Sequence, residues 1–88
     1  MKKYKLRIRV FDADMVRLRK ACININSVMR SYDIDAQVIP IDEHLEIYRM
    51  GLAEQMPAME VNGHILTVCL TLEKNILLQI FKPLAENT

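Results

Sequence analysis

Residues 4–11, YKLRIRVF, alternate: Leu6, Ile8 and Val10 fall on one side, Lys5, Arg7 and Arg9 on the other. A period of two with one apolar side predicts a strand that buries a single face. The period then changes. Met15, Leu18, Cys22, Ile25, Met29 and Tyr32 recur at spacings of three and four, predicting a helix over residues 14–32 with these side chains on one face. Asp12 or Asp14 can cap its start by accepting from free N–H groups of the first turn. Asn24, Asn26 and Ser27 fall mostly off the stripe. IDAQVIPI, residues 34–41, reads as a second strand, and Pro40, with no N–H to donate, puts it at a sheet edge.

DEHLEIYRMGL predicts a short helix, with Asp42 or Glu43 near its start, Leu45, Tyr48 and Leu52 as its apolar edge and Gly51 at its end. Asn62-Gly63 is the favoured two-residue hairpin turn, between strands at about 57–61 and 64–69. Thr71 can cap a last helix, LEKNILLQIF. In it Leu72, Ile76 and Ile80 are expected to face the sheet, with Leu77, Leu78 and Phe81 to the side. The order β-α-β-α-β-β-α, with a right-handed crossover followed by a hairpin, predicts an α/β fold. We expect a four-stranded mixed sheet in spatial order 2-1-3-4, with helices one and three on one face and helix two on the other.

Eighty-eight residues, 51% of them apolar, suit one domain over residues 1–88. No apolar run approaches the roughly 18 residues of a membrane span, and the basic, alternating start lacks a signal peptide's apolar core. A cytoplasmic protein with no membrane partner is expected. The net charge of +1 hides a division. Residues 1–30 hold nine Lys/Arg and two acids, and residues 31–88 hold three and nine. A near-neutral total favours pairing between the halves, with Arg7 or Arg9 meeting Asp42, Glu43 or Glu46. An RNA-binding strand would interleave aromatics with its cations, and only Tyr4 stands near, so no nucleic-acid partner is expected.

Two stretches, YDIDAQVIPID and MGLAEQMPAMEVNGHIL, carry a family likeness. With Gly51-Leu52, Pro57-Ala58, Val61 and Gly63 in this order, the chain resembles the small thioredoxin-like, glutaredoxin-sized domains known as redox-active disulfide proteins. The likeness spans about residues 5–82, and the run from Gly51 to Pro57 is about one residue longer than the family's. The predicted element order is that of a minimal thioredoxin fold. The resemblance implies a Cys-x-x-Cys at the start of the first helix, where this chain has Met15-Val16-Arg17-Leu18. Dithiol exchange needs a thiolate at the helix tip and a second thiol to resolve the mixed disulfide, and neither is there. The resemblance also implies a cis Met56-Pro57 bond facing that helix start, with the residue before the proline offering its backbone to a bound strand.

The expected function is therefore a redox-inactive thioredoxin-like domain that binds a protein or peptide, or itself. Met15, Leu18, Met56, Pro57 and Met59 are the candidate peptide-binding residues, as a methionine-lined mouth or as ordinary core. The competing reading is a weak glutaredoxin-like thiol oxidoreductase using Cys22. The fourth strand, HILTVCL, is an edge that shows no charge, proline or bulge, which points to a homodimer. Val68, Leu70, Leu77, Leu78 and Phe81 are its candidate interface, unless the tail folds back through Leu84.

No other constellation carries chemistry. Cys22 and Cys69 stand 47 positions apart, and His44 and His64 lack partners at helical spacing, so no metal, disulfide framework or cofactor is expected. Asp12 and Asp14 suit helix capping better than acid–base work, and no catalytic residue is assigned.

Overall fold

The computed structural model describes residues 5–86. The elements are β1 (Lys5–Phe11), α1 (Met15–Ser31), β2 (Asp35–Ile41), α2 (His44–Arg49), β3 (Ala58–Val61), β4 (His64–Val68) and α3 (Lys74–Glu86). They form an α/β fold with one four-stranded sheet in the order β2-β1-β3-β4. β1 runs parallel to β2 and antiparallel to β3, and β4 closes the hairpin on β3. Asn62 and Gly63 both take positive φ at its turn, as the two-residue connection requires. Tyr4 lies outside the described residues.

The alternation of β1 sorts the molecule into two unequal cores. Leu6, Ile8 and Val10 bury themselves with Leu18, Ala21, Ile25, Val28 and Met29 of α1, Met59 and Val61 of β3, and Leu72, Leu77 and Phe81. On the other face only Phe11 is apolar, and it gathers Ile47, Leu52 and Ala58 into a second, smaller cluster. α2 meets this face through Ile47, while Leu45 and Tyr48, expected as its apolar edge, are exposed.

The stripe on α1 is uneven: Leu18 and Ile25 are buried, but the row of Met15, Cys22 and Met29 is buried only at Met29. Met29 is buried, Cys22 is half-buried and Met15 is 59% exposed. These three are seven residues apart, and a straight α-helix drifts about 20° per heptad. The row therefore leaves the core as it runs back toward the N-terminus, while Ala21 and Val28 are buried on the other side of the same face.

α3 departs from expectation in the same manner. It begins at Lys74, and Thr71 does not cap it. Leu77 and Phe81 are fully buried, Ile76 and Ile80 are half-buried, and Leu78 is exposed. The helix is turned toward α1: the Tyr32 hydroxyl donates to the Leu78 carbonyl at 2.9 Å, and Asn24 Nδ2 donates to the Leu72 carbonyl at 3.0 Å. Leu84 packs against the main core from within α3 rather than from a folded-back tail.

The polar side of β1 is held by a cross-strand ion pair. Arg9 stands opposite Glu60 in the β1–β3 register, and its Nε and Nη2 each donate to a carboxylate oxygen at 2.6 Å. The guanidinium also lies 5.2 Å from the centre of the Phe11 ring and 4.0 Å from Glu46. The expected Arg9–Glu46 contact is thus present, but Glu60, from within the sheet, is the principal partner. The two hydrogen bonds from Arg9 hold the Glu60 carboxyl below the usual carboxylate range against the opposing effect of burial, and the charges of Arg9, Arg7 and His64 add to this. Because the folded-state value is depressed, the stability it carries is complete above the ordinary value of about 4.3 and is lost as pH falls through the lower one. In urea unfolding, Glu60→Gln should lose less stability than the native chain below about pH 4. Arg9→Met should cost of the order of 2 kcal/mol at neutral pH, less than the ~3–5 kcal/mol of a fully buried pair. An Arg9→Met variant as stable as the native chain would refute this account of the pair.

Candidate functional site

The turn from β1 into α1 is built by two aspartates with different partners. Asp14 is the N-cap, and one of its carboxylate oxygens accepts from the N–H groups of Val16 and Arg17, each at 3.1 Å. Asp12 is fully buried. Its backbone N–H donates to the Ile41 carbonyl at 3.0 Å, and its Oδ1 accepts from the Asp14 N–H at 3.0 Å. Arg17 then clamps the same carboxylate with a fork, Nε to Oδ2 and Nη2 to Oδ1, the latter at 2.8 Å. Bonding to Asp12 raises the Arg17 guanidinium above its ordinary value. Both acids are thus engaged in fixing the turn.

The Met56-Pro57 peptide bond is cis. Met56 tucks its thioether against the second core, where Sδ accepts from the Ala13 N–H at 3.1 Å. Its own backbone N–H and C=O make no hydrogen bond among the described residues. Pro57 lines a cavity of about 370 Å³ whose walls are Arg17, Lys20, Ala21, Ile23 and Asn24 of α1 together with Thr71, Leu72 and Glu73. Arg17, fixed by Asp12 through two of its nitrogens, thus also forms part of the wall.

The five expected peptide-binding residues do not share one surface. Met15 and Leu18 line a different cavity of about 280 Å³ with Arg19, Cys22, Pro40 and Asp42, and Leu18 is itself buried. Met59 stands opposite Val10 on the face under α1 and α3, so it is core and not mouth. Alternation along β3 makes this unavoidable, since Ala58 already faces α2. Met56 and Pro57 remain beside the α1 start, and the methionine-lined mouth does not form.

The expected dimer surface is likewise reduced. Leu77 and Phe81 are core, which leaves Val68, Leu70 and Leu78 exposed. β4 also contains a bulge: Met59 pairs with Thr67 and Glu60 with Ile65, so Leu66 is an extra residue in the edge strand. A bulge twists an edge away from regular pairing. Nothing in the spacing of HILTVCL marks it.

Cys22 is half-buried, and desolvation pushes its thiol up, away from the reactive thiolate. Cys69 is exposed at the end of β4. Among the described residues no group of three His, Cys, Asp or Glu could hold a metal ion, and no helix is long and apolar enough to cross a membrane.

Arg17 and Asp12 are the residues that spacing alone undervalued. The available signal was an arginine in the first turn of a helix that carries no acid there, just after two aspartates. None of the protein-family models, curated proteins or solved structures compared with the chain matches it.

Two measurements test this geometry. Arg17→Met leaves the Asp12 carboxylate buried and short of its ionic partner, which should cost about 1–3 kcal/mol in urea unfolding. Adding Asp12→Asn should restore part of that loss, and equal stability of Arg17→Met and the native chain would refute the clamp. Timed alkylation with iodoacetamide should label Cys69 well before Cys22; the reverse order would overturn the assignment of Cys22 as a shielded thiol.

Proposed function

We propose that this chain is a thioredoxin-like domain without dithiol chemistry that binds an extended protein or peptide segment beside Pro57. The observation that carries the reading is the backbone of Met56, unpaired among the described residues, next to a cavity walled by the first half of α1 and the segment before α3. An extended peptide gains affinity from main-chain hydrogen bonds and specificity from a pocket for a side chain. Met56 offers the first, and the cavity under Ile23 and Leu72 offers the second. The helix start that would carry thiols in a redox enzyme is occupied by exposed Met15 and buried Leu18. The compartment that suits this reading is the cytoplasm, where Cys22 and Cys69 stay reduced.

Peptides selected from a displayed library should bind the native chain and lose binding to Thr71→Trp, which fills the cavity from an exposed wall position. Insulin-reduction turnover should be absent. Peptide binding that ignores Thr71→Trp would move the site elsewhere, and turnover abolished by Cys22→Ser would replace the reading with a thiol enzyme.

A further inference from the structure

α1 presents a second face, opposite its buried one. Val16, Ile23 and Arg30 recur every seven residues, with Arg19, Lys20 and Ser27 filling the rows between them. Val16 is 71% exposed and Ile23 58% exposed. The solvent side of a packed helix is normally polar, so two β-branched residues one heptad apart mark a surface awaiting a partner. The charge on this helix is of one sign. Residues 15–31 hold four Arg/Lys and no acid. Arg19, Lys20 and Arg30 enter no ion pair among the described residues.

The α2 segment carries the complement. Residues 42–54 hold four acids against one arginine. Leu45 is 51% exposed and Tyr48 71% exposed, one helical turn apart. Among the described residues only Glu46 of the four acids meets a cation, at 4.0 Å from Arg9. α1 packs on the Leu6–Val10 side of the sheet and α2 on the Phe11 side, so Val16 and Ile23 cannot meet Leu45 and Tyr48 within one molecule, although Arg19 and Asp42 line one cavity there.

We propose that the outer face of α1 docks the α2 segment of a second copy of this chain. Val16 and Ile23 pack against Leu45 and Tyr48, and Lys20 lies near Glu43. Exposed ion pairs add little affinity and mainly set orientation, so the apolar contact supplies the attraction. The joined surfaces are different, so the contact is heterologous. The joined pair keeps one free surface of each kind, and association runs head to tail. This goes beyond peptide binding beside Pro57, and because Lys20 and Ile23 belong to both surfaces, a docked copy and a bound peptide compete for them.

Sedimentation of the full chain tests the proposal. At about 20 mM salt the average mass should rise above the 10.2 kDa monomer as concentration increases, and at about 0.5 M salt the rise should be smaller. Val16→Ser with Ile23→Ser removes the α1 surface, and Leu45→Ser with Tyr48→Ser removes the α2 surface. All four side chains are exposed in the monomer, so both variants should keep the native circular dichroism. Each alone should sediment as a monomer. Their equimolar mixture should form a two-chain species that grows no further, because one intact surface of each kind remains. A native chain that stays monomeric at every concentration overturns the proposal. So does association that survives both double variants, or association that fails only with Val68→Lys, which would place the contact at β4.

Discussion

The structure depends on what β1 allows on each of its sides. Leu6, Ile8 and Val10 give one side a continuous apolar row, and the larger core assembles there with α1 and α3. Lys5, Arg7 and Arg9 deny the other side the same treatment. A cation in a sheet face must keep its water or find an acid, because an unpaired buried charge is far more costly than a buried methylene is favourable. Arg9 finds Glu60, and beyond it only Phe11 is left to seed a core. The small size of the second cluster, and a helix of six residues contributing Ile47 to it, follow from that restriction.

The same strand fixes the candidate site through its last residues. Asp12 is drawn inside by the β2 carbonyl of Ile41, and its carboxylate then requires a cation. Arg17 supplies it from the first turn of α1, which ties the helix start to the end of β1. A guanidinium held by two parallel bonds keeps its remaining N–H groups in a fixed plane. Arg17 therefore serves the fold through Asp12 and also lines the cavity beside Pro57.

Features that depend on neighbouring residues were legible in the sequence, and features that depend on a contact arc were not. The alternation in β1, the Asn62-Gly63 turn and the edge position of β2 each follow from local chemistry, and together they specify the sheet order. The face of a helix is a weaker inference. Spacings of three and four define a stripe on α1, but the heptad drift decides where that stripe meets the sheet, so Met15 is exposed while Met29 is buried. On α3 every candidate position is apolar, and the choice of Leu77 and Phe81 over Ile76 and Ile80 was made by α1, a neighbour fifty residues away. The bulge at Leu66 and the pairing of Arg9 with Glu60 likewise arise from register between distant strands. Met59 was misplaced for a related reason: its neighbour Pro57 suggested a mouth, while the pleat of β3 sends it to the core.

Charge segregation is the feature that folding does least to erase. Pairing between a basic first third and an acidic remainder was the simplest expectation from a net charge of +1. Among the described residues that expectation is met through Arg9 alone, which reaches Glu60 and Glu46. Arg17 is paired too, but its partner Asp12 comes from the same basic third. The other described cations of that third, Lys5, Arg7, Arg19, Lys20 and Arg30, enter no such pair. The asymmetry written along the chain thus becomes an asymmetry in space, with α1 cationic on one side of the sheet and the α2 segment anionic on the other. Unlike surfaces on one molecule attract between copies when they align head to tail, so the geometry of the fold turns a composition that looks balanced into a directional surface.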